Sequence, residues 1–233
     1  MYKILNDFLI ETGKALGTGM RLQERSTEAL NIIERRAGED TADFIEQHLE
    51  NALLFTRNTQ IWEYAIRQAP KNGMLMEFGV YKGTSINFFA NQLLSQSDER
   101  IVQGFDWFSG LQEVWSGTAC GDSHYSLSGI APKVGPNVEL NIGMIDDTLP
   151  KFLEIHDGEI AFIHIDTDTY LPAKSILGQC KERLGSGSLI LFDELVGYPN
   201  WRSHEYKALC EYLPEESYRF LAFTSYQALI EII

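Results

Sequence analysis

The pattern of apolar and polar positions divides the chain into a helical front and an alternating remainder. Between about Tyr2 and Gln68 apolar residues recur at steps of three and four, as at Leu30, Ile33 and Ala37 and again at Phe44, Ile45, Leu49 and Leu53. Such spacing lines one face of a helix, and the glycines near 17–19 and the stretch from Gly38 to Thr41 predict breaks between several short helices. Beyond residue 70 the period changes. Short apolar runs appear at Met74–Glu77, Ile101–Asp106, Val138–Asn141, Ile160–Asp166 and Ser188–Asp193, most of them closing on an acid and followed by helix-like spacing. Alternation of this kind builds a parallel sheet with helices on both faces. The last two β-rich runs, Arg219–Thr224 and Gln227–Ile232, are separated only by Ser225 and Tyr226. A link that short cannot be a parallel crossover, so the sheet should close on an antiparallel hairpin. The expectation is an α/β chain with a doubly wound, mainly parallel seven-stranded sheet, preceded by a helical extension over residues 1–57. The sheet domain then spans 58–233.

Composition narrows the function. A chain of 233 residues that is 44% hydrophobic has material for one sizeable core. A formal net charge of −14 argues against a surface built to neutralise phosphates, which disfavours nucleic acid and anionic membranes and leaves a small-molecule acceptor as the expected partner. Cys120, Cys180 and Cys210 form no C-x-x-C pair, so neither a disulfide framework nor a structural zinc is expected and the cytoplasm is the expected compartment. No apolar stretch approaches the ~18 residues of a membrane span, and no export signal follows Met1.

The strongest local signal is Glu77-Phe78-Gly79-Val80-Tyr81-Lys82-Gly83-Thr84-Ser85, where a buried strand gives way to a helix beginning near Thr84. Gly79 and Gly83 let the backbone approach a ligand, and the helix start presents free amides. A pyrophosphate would call for G-x-G-x-x-G; here the glycines are four apart and a carboxylate precedes them. That arrangement suits a ligand with a cationic end, such as the amino group and sulfonium of S-adenosylmethionine. The bland alternative is an ordinary strand-to-helix turn with an exposed Glu. Asp106 ends the next strand a little over twenty residues beyond Gly83, where a carboxylate can accept both hydroxyls of a ribose.

The runs ending in His164-Ile165-Asp166-Thr167-Asp168 and Phe192-Asp193-Glu194 are successive strands. In a parallel sheet both ends lie on one edge, so four carboxylates converge. They repel one another unless they hold protons or a cation. An all-oxygen set suits Mg²⁺ or Mn²⁺. The alternative is that each acid caps the helix after its strand. His164 lies within an apolar strand and reads as a core residue, whereas His124 and His204 fall in loops.

Together these residues resemble the macrocin O-methyltransferase family, metal-dependent class I enzymes that methylate sugar hydroxyls. The resemblance runs from about Thr56 to Tyr212. It rests on E-F-G-V-Y-K-G-T-S, G-F-D-W-F-S-G-L, D-D-T-L-P, H-I-D-T-D-T-Y, F-D-E and G-Y-P-N-W-R with its following E-Y-K. It implies metal ligation by Asp166, Asp193 and Glu194, with Asp168 close by, and cofactor contacts from Glu77, Gly79, Ser85 and Asp106. The expected cofactor set extends to Phe78, Tyr81, Gly83, Thr84, Trp107, Gly143 and Asp166. The family usually carries two aspartates where this chain has Asp193-Glu194.

The implied chemistry is methyl transfer from S-adenosylmethionine to an acceptor hydroxyl, with Asp166 or Asp168 as base. The front helices are assigned to the acceptor pocket or to a homodimer contact. The connection from Asp106 to Val138, rich in Gly, Ser and aromatic residues, is either a binding lid or a crossover helix with a surface turn. Two rivals remain: a nicotinamide oxidoreductase, which the glycine spacing and the closing hairpin disfavour, and a catalytically silent scaffold, which the costly acidic cluster disfavours.

Overall fold

The computed structural model describes residues 28–233, so the helix breaks expected near 17–19 lie outside the described residues. Helix α1 covers 28–46 and runs unbroken through Gly38–Thr41, against expectation. Ala37, Thr41 and Phe44 are buried at helical spacing and anchor it, while a Cβ at Gly38 would meet nothing within 4 Å. The glycine costs the helix only its propensity, about 1 kcal/mol, which that anchoring offsets. The helical spacing through Leu49 and Leu53 does not continue as helix either. Residues 47–51 are turns, and Leu53–Leu54 form β1, which pairs in parallel with Ala222 and Phe223. Propensity yields here to the hydrogen bonds of a sheet edge.

Helix α2 (Asn58–Gln68) leads into β2 (Met74–Phe78), α3 (Thr84–Ser95), β3 (Val102–Asp106) and β4 (Val138–Ile142). Then follow α4 (Ile145–Ile155), β5 (Ile160–Ile165), α5 (Tyr170–Cys180), β6 (Leu184–Phe192), α6 (Glu205–Tyr212), β7 (Tyr218–Phe223) and β8 (Ala228–Ile232). The sheet order is β1-β7-β8-β6-β5-β2-β3-β4. The seven expected strands are present, and the two-residue β1 makes an eighth at the edge. β8 pairs antiparallel with both β6 and β7, and every other pairing is parallel. The closing hairpin is therefore formed as its short link requires.

Alternate residues of the central strands serve opposite faces. Leu75, Phe162, Leu189 and Leu191 pack with α2 and α3 through Ile61, Ile66, Ile86 and Phe89. Met76, Phe78, Ile163, Ile165, Ile190 and Phe192 pack with α4, α5 and α6, and Phe44 of α1 joins that side. The order reverses at β2, which has β3 on one side and β5 on the other. Such a switch point opens a crevice at the carboxyl ends of the strands. Among the described residues, no helix is long and apolar enough to cross a membrane.

Candidate active site

The turn after β2 is built for close approach to β5. Gly79 has φ +88, and a Cβ on it would lie 1.7 Å from the Asp166 carbonyl oxygen. Only glycine permits both the dihedral and the contact. Gly83, at φ +78, precedes α3 without a side-chain cap. Asp106 braces the turn from the neighbouring strand: its Oδ2 accepts from the amides of Val80 at 2.9 Å and Tyr81 at 2.8 Å, and its Oδ1 from Phe108 at 2.7 Å. Tyr81 is held at φ 45.

Above this turn lies a cavity of about 250 Å³. It is lined by Gly79 after β2, by Phe105, Asp106, Trp107 and Gly143 from the ends of β3 and β4, and by Asp166, Thr167, Asp168, Asp193 and Glu194 from the ends of β5 and β6. Of the expected cofactor residues, Gly79, Tyr81, Asp106, Trp107, Gly143 and Asp166 line the cavity, whereas Glu77, Phe78, Gly83, Thr84 and Ser85 do not. Phe78 stacks on Phe105 in the core at 4.8 Å between centroids. Glu77 is fully buried beneath the turn and accepts from Ser85 Oγ at 3.1 Å.

The connection over 107–137 contains neither helix nor strand, so the crossover helix is not formed. The segment contributes Leu111, Gln112 and Tyr125 to the cavity wall. It is tied to the remainder of the protein at several points. Glu113 accepts from the Leu171 amide at 2.7 Å in the first turn of α5, and Asn200 donates to Ser116 Oγ at 2.8 Å. Tyr125 sits at φ 61 with its ring edge-on to Tyr81 at 5.3 Å.

The four strand-end acids do converge. One oxygen each of Asp166, Asp168 and Glu194 lie within 4.8 Å of one another, and ligand atoms of His164, Asp166 and Asp193 form a second such group. Asp168 therefore belongs to the cluster as closely as the three residues expected to ligate. It adopts φ 64, and the backbone amide before it, at Thr167, donates to Glu205 at 3.3 Å. Burial, reinforced by Asp193, pushes Asp166 and Glu194 well above the usual carboxyl range and Asp168 up to about 7. Asp193 moves the other way: burial would raise it, but hydrogen bonding and charge at His164 hold it below its usual value. The cluster thus retains protons or takes up positive charge.

His164 is in the core, as its strand position implied, yet it is polar-partnered on both sides. Its Nδ1 lies 3.0 Å from Glu77 Oε2 and its Nε2 3.5 Å from Asp193 Oδ1. Burial works to lower its pKa, but the two carboxylates outweigh burial and lift it to about 10. Gln227, entering β8, donates to Asp193 Oδ1 as well. Glu205, wholly buried at the start of α6, is raised by burial and by Asp168. Neither Gln227 nor Glu205 carried a sequence signal beyond the E-Y-K segment that contains the latter. His124 and His204 take no part in the cluster; His124 Nδ1 accepts from the Gly121 amide, and His204 Nε2 lies 2.9 Å from the Ser116 carbonyl.

A glycine turn at the switch point of a sheet whose only reversed strand, among the described residues, is β8 defines the class I methyltransferase fold, the architecture of S-adenosylmethionine-dependent methyltransferases. The chain belongs to the methyltransferase-domain family, whose profile matches residues 76–195, just over half of the sequence. Among solved structures it is similar to the calicheamicin methyltransferase CalS11, with TM-score 0.63 and 23% identity over 75% of this chain and 78% of that one. It is likewise similar to apo CalS11, described as a TDP-rhamnose 3'-O-methyltransferase, at TM-score 0.56 and 24% identity over the same shares. The O-methyltransferase NovP matches with TM-score 0.57 and 18% identity over 75% of this chain and 78% of that one. At such identities the likeness shows the fold. No curated protein matches the chain in sequence.

Proposed function

We propose that the protein transfers the methyl group of S-adenosylmethionine to a hydroxyl oxygen of a small molecule, with a divalent cation at the Asp166 cluster, in the manner of the macrocin O-methyltransferases that its motifs resemble. The observation that carries this reading is the meeting of Asp166, Asp168 and Glu194 in the same cavity as the Gly79 turn. The description of CalS11 as a TDP-rhamnose 3'-O-methyltransferase and of NovP as an O-methyltransferase agrees with it.

The donor set fits a hard cation. The group of Asp166, Asp168 and Glu194 is all oxygen, Asp168 in it is buried, and Glu194 Oε2 lacks a hydrogen-bond partner. Asp166, Asp193 and Glu194, with Asp168 beside them, would hold Mg²⁺ or Mn²⁺, which lowers the pKa of a nearby acceptor hydroxyl. Gly79 lets the turn close on the Asp166 backbone, and Asp106 and Trp107, which line the cavity, would border the adenosine of the methyl donor. Asp168 lines the cavity beside these ligands and is the carboxylate placed to accept the acceptor's proton. As it takes the acceptor's proton, the acceptor oxygen bonds to the methyl carbon and the carbon–sulfur bond breaks, releasing a methyl ether and S-adenosylhomocysteine. Tyr81, Trp107 and Tyr125 supply the aromatic surface that a sugar or other natural product can lie against.

The test is mass spectrometry of hydroxylated acceptors, nucleotide sugars and glycosylated natural products among them, incubated with the protein and S-adenosylmethionine with Mg²⁺ or with chelator. A gain of one methyl on oxygen that requires Mg²⁺ is expected. Methylation at nitrogen or carbon, or full turnover in chelator, would refute the corresponding half of the proposal.

A further inference from the structure

We propose that His164 is a positioning residue for the cation site: its ring ties Asp193 to Glu77 and so fixes the carboxylate that faces the cavity. The inference rests on the cation reading above and extends it to a residue outside the ligand set.

The sheet register creates the arrangement. Glu77 of β2 is the direct partner of His164 of β5, and His164 is the direct partner of Leu191 of β6. With a period of two, Glu77, His164, Leu191 and Asp193 share the face beneath α2 and α3. There the imidazole is fully buried, edge-on to Phe89 at 5.2 Å and to Trp62 at 6.3 Å. A polar ring in such surroundings is costly unless its nitrogens are engaged. Nδ1 is engaged at 3.0 Å by Glu77 Oε2, whose other oxygen is taken by Ser85. Nε2 has no hydrogen-bond partner in the structure, and Asp193 Oδ1 lies 3.5 Å from it, the long limit of such a bond. Gln227 meets the same Oδ1 from β8. One oxygen of Asp193 thus accepts from Gln227 and faces the His164 ring on its other side. Partners of this kind orient ligand groups at metal sites, and their loss typically weakens metal affinity tenfold to a hundredfold.

Two substitutions separate the ring's two contacts. The side-chain nitrogen of glutamine falls near the Nε2 position of histidine, and that of asparagine near Nδ1. His164→Gln therefore retains a donor toward Asp193, and His164→Asn retains one toward Glu77 only. Free Mn²⁺ is followed by electron paramagnetic resonance, and S-adenosylhomocysteine affinity by calorimetry. Mn²⁺ affinity should fall about tenfold in His164→Asn and stay within threefold of wild type in His164→Gln, with S-adenosylhomocysteine affinity within twofold in both. Equal Mn²⁺ affinities in the two variants, whether both retained or both lost, overturn the assignment. A wild-type protein that binds no Mn²⁺ at millimolar concentration overturns the cation reading itself, and this inference with it. Should either variant fail to fold, ¹⁵N-histidine spectra of the wild-type protein decide the matter. Of the five histidines, His164 and His204 are buried; the protected ring whose signals persist in His204→Asn is His164, and its nitrogen resonances should shift when Mg²⁺ is added. A His164 ring unmoved by saturating Mg²⁺ overturns the assignment.

Discussion

Replacing Gly79 with alanine tests how the cofactor turn and the carboxylate strand are joined. At φ +88 a residue with a Cβ carries about 1–3 kcal/mol of backbone strain. The new Cβ would stand 1.7 Å from the carbonyl oxygen and 2.7 Å from the carbonyl carbon of Asp166. Both are backbone atoms, so no side chain can turn aside. Relief requires the ends of β2 and β5 to part, yet the Asp166 amide donates to Phe78 at 2.9 Å and the Gly79 amide to Phe105 at 3.0 Å. Losing one such buried bond costs about 1–3 kcal/mol. Gly79→Ala should therefore destabilise the protein by about 2–6 kcal/mol, a large part of the 5–15 kcal/mol typical of a domain. Urea unfolding followed by circular dichroism measures the loss, and calorimetry on the folded fraction should show S-adenosylhomocysteine binding weakened more than tenfold. Gly135→Ala is the control: its Cβ would meet nothing closer than 3.6 Å, and stability should change by less than about 1 kcal/mol. A Gly79→Ala protein as stable as that control would refute the described contact between the two strands.

Three further outcomes follow from the site. In the cation-free protein Asp168 titrates near 7 instead of 3.8; a raised carboxyl favours folding while protonated, so that stability is complete below about pH 4 and is lost as pH rises through 7, by up to about 4 kcal/mol. Asp166 and Glu194 act in the same direction; thermal melts in chelator should fall from pH 5 to pH 8, Mg²⁺ should restore them, and a melt in chelator that rises over this range refutes the reading. Asp168→Asn should lower turnover about a hundredfold or more while S-adenosylhomocysteine affinity stays within threefold, and an undiminished rate would remove Asp168 as base. Asp106→Asn replaces one of the oxygens that brace Val80, Tyr81 and Phe108 with a donor; a loss of about 1–3 kcal/mol and at least tenfold in S-adenosylhomocysteine affinity is expected, and intact values for both would show that the brace is dispensable.

The parts of the molecule that the sequence makes legible are those governed by local period and by edge geometry. Strand runs, the start of α3 at Thr84 and the closing hairpin all express alternation, glycine placement or a link too short to cross over. The convergence of Asp166, Asp168, Asp193 and Glu194 was legible for the same reason, since successive parallel strands end on one edge. Where periodicity met competing forces it failed. Gly38 looked like a break because propensity is local, but three buried contacts along one face of α1 outweigh one glycine. Leu53 continued a helical spacing, yet the open edge of β7 takes Leu53 and Leu54 as a strand.

Glu77 and His164 show what periodicity cannot reach. Each occupies an ordinary place in its own strand, one beside a glycine turn and the other within an apolar run. Nothing local in either segment states that residue 77 stands opposite residue 164, because register is set by the pairing of whole strands and by the helices packed over them. A slip of one residue would turn His164 toward α4 and α5 and leave the Glu77 carboxylate buried without its partner. The observed register avoids that: the acid before the glycine turn and the histidine before the acidic cluster satisfy one another at 3.0 Å in the core. The polar residues beneath the cavity thus reinforce the same alignment of β2 and β5 that the apolar faces favour. That alignment brings Gly79 against Asp166, and with it the donor-binding turn to the carboxylates.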